Sequence, residues 1–352
     1  MKLSRSLTLE LSGIFVAVIA AVLGGSIVIL LTSSEPLVAM QAMFLDPFSS
    51  MFNVGTILNK AVPLILTGLA LSIVFQSGVF SMGAEGQLYI GSFVGTVVGV
   101  SFSGLPPILH ILFILLCAMV GGALFGAIPG ILKAYLNANE IVTTLMLNFV
   151  AILTTSYLVN NQFEAPDAGG FARMQYIESD LLLARIINGT SAHAGILIAI
   201  VAVIAVYILL YHTSIGYELR LVGQNPHFAK YGGINTVKVI VISVMLSGAL
   251  AGLAGIVEIL GIHKTFKENF SSGLGFDGII IALLARNHPI GVLFASLFYA
   301  YILVGSQTMQ LGSDMPREVA VIIQVLLVLF VTAQAIFTFI KQKYAKQETV
   351  VK

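Results

Sequence analysis

Apolar segments about as long as a lipid bilayer is thick recur along almost the whole of this chain. Apolar residues of the AVILMFWYC group make up 58% of the sequence and charged residues only 9%, whereas roughly 25% of residues are charged in soluble domains. A helix needs about 20 apolar residues to cross the hydrocarbon core. The sequence therefore predicts an integral membrane protein with helical spans at 11–31, 61–80, 87–102, 108–132, 141–159, 194–211, 237–262 and 319–340.

The region 276–308 does not fit a single span. A short apolar piece is followed by the polar sequence RNHP at 286–289 and then by a longer apolar run. This region is either two short spans or a re-entrant pair, and in both cases the chain returns to the same side of the membrane. The predicted fold is an all-α polytopic membrane protein with about ten transmembrane segments, one pair of which is short or re-entrant.

Small residues recur at every fourth position in three of the predicted spans. Such ridges let helices approach closely in lipid, so they indicate helix packing rather than chemistry. The sequence GALFG at 122–126 recurs as GALAG at 248–252, on a span that crosses in the opposite direction. This recurrence fits an inverted repeat of two halves. The ridges are Gly91, Gly95 and Gly99; Gly122, Gly126 and Gly130; and Ser247, Ala251 and Gly255.

Lysine and arginine are distributed unevenly between the loops on the two sides of the predicted membrane. With the N-terminus inside, eleven of the 17 fall on the cytoplasmic side and six on the other side. Because short cytoplasmic loops carry an excess of these residues, both termini are predicted to face the cytoplasm. The loop 213–236 is then cytoplasmic, and 160–193 is the longest extracytoplasmic loop. The first apolar run is too long for a signal peptide and is expected to be a retained span.

The loop 213–236 is a long polar interruption that contains the signals of a short helix. Asn225 can cap the first free amide groups, and Pro226 suits the first helical position. Gly232 and Gly233 are expected to end the helix, because glycine takes the left-handed conformation without strain. So short a helix is unstable alone in water, and another surface must hold it.

An aromatic face on this helix suggests what that surface is. Phe228 and Tyr231 are three positions apart and therefore lie on the same side of a helix. Two interpretations remain open from the local pattern. The face docks into a groove of another protein, or it anchors the helix at the membrane surface.

Acidic and amide residues in or beside the spans are candidates for contact with a solute, because a charge inside the membrane is costly. Glu85 and Gln87 lie in the sequence FSMGAEGQ at 80–87, where two glycines interrupt the apolar pattern. This helix is either discontinuous and lines a substrate path, or Glu85 is an acidic residue in a first helical turn, stabilised by the helix dipole.

Four further residues complete the predicted solute path. Glu140 opens a span, and Thr144 and Asn148 lie one turn apart within it. Their side chains either hydrogen-bond a polar solute or bond across helices. Asp277 follows the sequence GLGF at 273–276 and is expected to cap a half-helix.

Motifs for nucleotide hydrolysis and zinc proteolysis do not occur in the sequence. It contains neither G-x-x-x-x-G-K-[ST] nor H-E-x-x-H. The single cysteine, Cys117, cannot form an internal disulfide. No catalytic residue, metal site or cofactor is predicted for this chain, and it is not expected to be an enzyme or to bind nucleic acid.

Together these motifs resemble the permease subunits of bacterial ABC importers, in the class that handles branched-chain amino acids, simple sugars and nucleosides. The GAEGQ form is similar to the nucleoside and simple-sugar branch. One departure is the sequence KYG at 230–232, where the family commonly has small residues. The likeness extends over nearly the whole chain and rests on FSMGAEGQ at 80–87, NEIVTTLMLN at 139–148, LRLVGQNP at 219–226 with YGGI at 231–234, and GFDGI at 275–279.

The resemblance implies a single transmembrane permease domain over 1–352 in the bacterial cell membrane. The solute would be small and polar, with a nucleoside expected and a simple sugar or branched-chain amino acid as the alternative. Implied partners are two ATPase subunits that bind the ATP, a second permease subunit, identical or paralogous, and an extracytoplasmic solute-binding protein. The loop 213–236 would be the coupling loop, docking on the ATPase through Asn225, Pro226, Phe228, Tyr231 and Gly232. An ion-coupled secondary transporter using Glu85 or Glu140 is the alternative from another class.

Overall fold

The computed structural model describes residues 23–102, 104–170, 172–187, 189–326 and 329. Within these residues the secondary structure is helical apart from two isolated β-bridges. The helices are α1 (Leu23–Thr32), α2 (Pro36–Phe44), α3 (Asp46–Ser49), α4 (Met51–Gln76), α5 (Ala84–Ser101), α6 (Pro107–Leu136), α7 (Glu140–Asn161), α8 (Gly195–His212), α9 (Ser214–Gln224), α10 (Pro226–Tyr231), α11 (Thr236–Glu258), α12 (Leu274–Leu284), α13 (Pro289–Gly312) and α14 (317–326).

Six of the described helices are long and apolar enough to cross a bilayer. They are α4, α6, α7, α8, α11 with a π-helical extension to His263, and α13. The predicted all-α polytopic fold class is confirmed. The predicted spans 11–31 and 319–340 extend beyond the described residues.

The region 276–308 resolves into one short helix and one long helix. α12 has 11 residues, so at 1.5 Å per residue it is about 17 Å long, roughly half the thickness of a hydrocarbon core. α13 has 24 residues and is long enough to cross. The pair is therefore asymmetric, with its short member first.

Helices α5, α6 and α11 pack against one another through glycine. A Cβ atom at Gly122 would collide with the carbonyl oxygen of Gly248, and one at Gly248 with that of Gly122. A Cβ at Gly91 would collide with the Cα of Gly252. The small-residue ridges thus serve helix packing as predicted, although on α11 Gly248 and Gly252 make these contacts. The two similar sequences at 122–126 and 248–252 lie against each other.

Two of the irregular segments between the described helices lie directly before α5 and α12. The first, residues 77–83, separates α4 from α5 and is here called the α4–α5 break. The second follows α11, which continues as a π-helix over Ile259–His263 and then passes through left-handed positions at Lys264, Asn269 and Ser272. The sequence at 80–87 thus covers the end of the break and the first turn of α5, and Glu85 lies in that first turn.

The loop that follows α7 is joined by backbone hydrogen bonds to the segment that follows α11. Met174 N–H donates to the Phe266 carbonyl at 2.9 Å, and Ile177 N–H donates to the Lys264 carbonyl at 2.9 Å. A short 3-10 helix covers Ser179–Leu181. The predicted loop 160–193 thus packs on the segment that follows α11.

The chain divides into two compact units, residues 1–57 with 298–352, and residues 58–297. In the first unit, Asp314 joins the end of α1 by accepting hydrogen bonds from the hydroxyls of Ser33 and Ser34, each at 2.6 Å. Tyr301 donates to the Phe44 carbonyl at 2.9 Å. All the residues predicted for the solute path and the coupling loop lie in the second unit.

Candidate functional site

The α4–α5 break is held in place by two side chains of α7. Thr144 Oγ1 accepts a hydrogen bond from Met82 N–H at 3.1 Å. Asn148 Nδ2 donates to the Met82 carbonyl at 2.8 Å, and Asn148 Oδ1 accepts from Gly86 N–H at 2.9 Å. Gly86 N–H is among the first amide groups of α5, which have no partner within the helix. In the structure, these two predicted path residues bond the backbone of the break.

The glycines of the GAEG sequence are required by the approach of α7. A Cβ atom at Gly86 would lie 2.9 Å from the Cα of Asn148, and one at Gly83 would lie 3.2 Å from the Cβ of Thr144. Contacts this close leave no room for a side chain at position 86. The two glycines that suggested an interrupted helix therefore also allow α7 to pack closely against the break and the start of α5.

Glu85 lies between the N-termini of two helices. Its side chain is buried, with 3% of the residue exposed, in the first turn of α5. Its Oε2 accepts from Gly275 N–H in the first turn of α12 at 2.7 Å, and Ser271 and Gly273 lie close to the carboxylate. Helix N-termini favour negative charge, so one carboxylate stabilises both helix ends.

The start of α12 differs from the prediction for Asp277. The helix begins at Leu274, so Asp277 lies inside its first turn and does not cap it. The Leu274 N–H instead donates to Ser271 Oγ at 3.2 Å. The left-handed conformations of Ser272 and Gly273 turn the chain into the helix before Asp277 is reached. The prediction that Asp277 caps α12 is therefore wrong.

Gln87 lies apart from Glu85. Residues two positions apart on a helix point to nearly opposite sides, and Gln87 faces α6, where a Cβ atom at Gly126 would lie 3.0 Å from its Nε2. Gln87 is 1% exposed, and in the described part of the chain neither of its amide atoms has a hydrogen-bond partner. The structure thus places Gln87 in the packed centre of α5, α6 and α11.

Glu140 is at the opposite end of α7 from the loop 160–193. Its carboxylate forms a salt bridge with Lys133 of α6, with Nζ and Oε2 2.7 Å apart. Asn139 caps the same helix by accepting from the N–H groups of Ile141 and Val142. The Lys133–Glu140 ion pair therefore joins the C-terminal end of α6 to the N-terminal end of α7.

An aromatic cluster continues the Glu85 side of α5, and the sequence analysis did not identify it. Tyr89 and Phe93 follow Glu85 at intervals of four residues, which places all three on one helical face. The Tyr89 ring centroid lies 5.1 Å from that of Phe270, and that of Phe93 lies 5.7 Å from that of Phe266. The four-residue spacing was visible in the sequence, but the rings that Tyr89 and Phe93 contact belong to a segment far away in the chain.

The short helix in loop 213–236 forms as predicted. α10 begins at Pro226, and Asn225 caps it by accepting from Phe228 N–H at 3.0 Å. Its end differs in one respect. Gly232 has an ordinary φ of −74°, and the left-handed residue is Gly233, with φ of 84°. The two glycines thus end the helix as predicted, with the left-handed conformation at Gly233 and not at Gly232.

The aromatic residues of α10 point outward. Phe228 is 61% exposed and Tyr231 is 93% exposed, while Ala229 between them is buried. An exposed aromatic face is what both open interpretations require, docking on a protein and anchoring at a membrane surface.

A second helix in the same loop was not predicted. In α9, Thr213 Oγ1 caps by accepting from Gly216 N–H at 3.1 Å, and Leu219 and Val222 are buried at helical spacing. A Cβ atom at Gly223 would collide with the carbonyl oxygen of Gln76. α9 therefore packs directly on the C-terminal end of α4.

Comparison with known proteins assigns the chain to a family. A family model described as branched-chain amino acid transport system / permease component matches residues 53–332. Guanosine ABC transporter permease protein NupP of Bacillus subtilis (strain 168) is 34% identical over 344 residues, covering 96% of this chain and 98% of that protein.

Two further relatives carry different solute names. Glucose ABC transporter permease protein TsgB13 of Haloferax volcanii is 35% identical, covering 91% of this chain and 86% of that protein. Nucleoside ABC transporter permease protein NupB of Lactococcus lactis subsp. cremoris is 29% identical, covering 91% of this chain and 90% of that protein. The resemblance inferred from the motifs is confirmed: this chain belongs to the family of permease components typified by branched-chain amino acid transport systems.

Proposed function

We propose that this chain is the permease subunit of an ATP-driven importer that moves a nucleoside across the bacterial cell membrane. The observation that carries the proposal is the full-length match to a relative named for guanosine, which covers 96% of this chain. A second relative, from another bacterium, is named for nucleosides. The helical, membrane-spanning fold and the interrupted helix at Glu85 are consistent with a transport path.

The ATP would be bound by separate ATPase subunits, which dock on the loop 213–236. Support comes from α10, whose exposed Phe228 and Tyr231 provide the aromatic anchors that dominate protein interfaces. In this proposal the loop and both termini face the cytoplasm, and the distribution of lysine and arginine supports that orientation. The other partners are a second permease subunit, identical or paralogous, and a solute-binding protein on the opposite side.

The solute path would run beside the α4–α5 break. Thr144 and Asn148 fix the break from one side, and Glu85 fixes the N-terminus of α12 against α5. These residues act by shaping the wall of the path. Direct solute contacts by Gln87, Glu140 and Asp277 stay predictions. A neutral, hydroxyl-rich solute suits a path of this kind because it needs no fixed counter-charge in the membrane.

Simple-sugar transport is the second candidate. It is favoured by the relative from Haloferax volcanii named for glucose, which is as similar to this chain as the guanosine relative. Nucleosides and sugars share hydroxyl groups, so the same polar wall could serve either solute.

Uptake measurements distinguish these candidates. Cells that express the chain with its partner ATPases, second permease and binding protein should accumulate radiolabelled guanosine, with unlabelled uridine or adenosine competing and glucose or leucine failing to compete. Replacing the catalytic residues of the ATPase should abolish uptake. Competition by glucose alone would establish the sugar function, and uptake that persists without an active ATPase would establish an ion-coupled transporter.

A further inference from the structure

The turn between α12 and α13, residues 285–288, lies against the base of the loop 213–236. The His288 ring centroid is 5.5 Å from that of Tyr211 and 6.1 Å from that of Tyr207, both on α8. Arg220 of α9 places its guanidinium carbon 5.0 Å from the Tyr211 ring centroid. Tyr211 therefore contacts both α9 and the turn.

A second set of contacts joins the same elements through α4. Gln76 Nε2 donates to the Asn287 carbonyl at 2.6 Å. The carbonyl of Gln76 is the atom against which Gly223 of α9 packs, and a Cβ at Gly78 would lie 3.1 Å from the Cα of Gly223. α9 is thus connected to the turn by two separate routes, one aromatic and one through the end of α4.

The turn itself is a fixed structure. Arg286 and Asn287 both have left-handed φ values, 51° and 59°, which residues with side chains adopt at a cost. Asn287 N–H donates to the Ala282 carbonyl at 2.8 Å, and Arg286 N–H donates to the Leu283 carbonyl at 3.0 Å. Displacement of the turn will therefore carry the end of α12 with it.

The other end of α12 reaches the Glu85 carboxylate, about 17 Å away along the helix axis. Between these ends the helix contacts its neighbours through glycine. A Cβ atom at Gly278 would lie 2.8 Å from the Thr67 Cβ of α4, and one at Gly68 of α4 would lie 2.7 Å from the Ile281 Cγ2 of α12, so the two helices approach closely at a glycine on each. Small sliding of packed helices is one of the recurring ways in which transporters and enzymes change conformation.

From these contacts we propose that α12 transmits movement of the loop 213–236 to Glu85 and the α4–α5 break, with Tyr211 and His288 as positioning residues for transport. The inference rests on the proposed function, because it needs an ATPase to move the loop. It assigns to α12 the mechanical connection between the docking helix and the interrupted helix. Neither positioning residue contacts the solute.

The test uses the assembled complex of both permeases, the ATPases and the binding protein, reconstituted in proteoliposomes. The measured quantity is the ratio of solute taken up to ATP hydrolysed. His288→Ala removes the ring, and His288→Phe retains one. Tyr157→Ala is the matched control, because it removes an exposed tyrosine ring of α7 that does not belong to this aromatic group.

We expect His288→Ala to leave assembly and basal hydrolysis unchanged and to lower the uptake-to-hydrolysis ratio by about two- to tenfold, the range that an aromatic contact supplies. His288→Phe should restore most of the ratio, and Tyr157→Ala should leave it unchanged. In a double-mutant cycle, the Tyr211→Ala, His288→Ala variant should lower the ratio by less than the product of the two single effects, because both changes remove the Tyr211–His288 contact, although Tyr211→Ala also removes the contact with Arg220.

An unchanged ratio in His288→Ala overturns the inference. So does a loss of assembly that His288→Phe fails to rescue, because the contact would then serve folding alone. A wild-type complex that imports glucose and not guanosine overturns the proposed solute, but the ratio remains measurable with glucose, so the two failures are distinguishable.

Discussion

The buried carboxylate of Glu85 accepts a hydrogen bond from the backbone N–H of Gly275, which lies 190 positions further along the chain. This contact brings the N-termini of α5 and α12 together, and each of them carries a partial positive charge. Without Glu85, the two ends would repel each other and the Gly275 N–H would lose this partner. The residue is therefore a structural link between an interrupted helix and a half-length helix.

Glu85→Gln tests the charge in this link. Glutamine keeps an oxygen that can accept from Gly275 but loses the negative charge, so we expect a loss of about 1–2 kcal/mol in stability and reduced uptake. Thermal unfolding in detergent and uptake in cells measure the two effects. Glu178→Gln, at an exposed loop carboxylate, is the control. Wild-type stability together with wild-type uptake in Glu85→Gln would contradict this role.

Gly275→Ala tests the close approach of the two helices. A Cβ atom at Gly275 would lie 2.6 Å from the Cα of Glu85, so α12 must move away from α5. Overpacking of this kind typically costs about 1–3 kcal/mol. Gly312→Ala is the matched control on α13, because the atom nearest to its added Cβ is 3.7 Å away. Equal thermal unfolding temperatures for the two variants would show that the contact relaxes freely.

The sequence supported those parts of the fold that depend on adjacent residues. Hydropathy located five of the six described spans and left the region of α13 open, and the Asn225-Pro226 pair located the start of α10 within one residue. The interruption at 80–87 was also visible, because glycine disrupts a helical pattern locally. Each of these features is set by neighbouring residues in the chain.

Contacts between distant segments could not be predicted in the same way. No local sequence pattern pairs Glu85 with Gly275. From the sequence alone, Glu85 is equally compatible with an ordinary acidic residue in the first turn of a helix. Asp277 illustrates the resulting error, because the preceding irregular segment determines where α12 begins. α9 was missed for a different reason: Leu219 and Val222 give it an apolar face, but only packing on α4 reveals its use.

Removing the exposed aromatic residues of α10 should weaken ATPase docking and leave the permease itself intact. If Phe228 and Tyr231 are interface anchors, truncation of each to alanine should cost about 2–4 kcal/mol of docking free energy. The Phe228→Ala, Tyr231→Ala variant should therefore release the ATPase during purification or lose solute-stimulated hydrolysis. Thermal unfolding of the isolated permease should not change. Normal co-purification together with normal stimulation would favour the membrane-surface interpretation.

The end of α10 gives a separate prediction. Gly233 has a φ of 84°, and a β-branched residue resists this left-handed conformation by about 1–2 kcal/mol. Gly233→Val should therefore disturb α10 and reduce ATPase co-purification. Gly232→Ala is the control, because Gly232 has a negative φ and the atom nearest to its added Cβ is 3.4 Å away. A larger loss of co-purification in the Gly232 variant would contradict the assignment of Gly233 as the helix stop.

The buried imidazole of His193 should make the stability of the folded protein depend on pH. The residue is 1% exposed, and its Nδ1 accepts from Gly195 N–H at 3.0 Å. Burial lowers the pKa of the imidazole from 6.5 to about 4. Because the folded-state pKa lies below the unfolded value, the unfolded chain binds the proton more readily, and stability is lost as the pH falls from 6.5 towards 4.

Linkage gives the size of this effect. Between pH 7.5 and pH 5, protonation of His193 in the unfolded chain should reduce the free energy of unfolding by about 2 kcal/mol. His193→Gln removes the titration, so its unfolding temperature should start lower at pH 7.5, because packing is lost, and should then fall less on acidification than that of the wild type. Thermal unfolding followed by circular dichroism in detergent measures both slopes, with His227→Gln as a control at an exposed position. If His193→Gln loses as much stability on acidification as the wild type, other groups set the pH dependence and the buried imidazole contributes only packing.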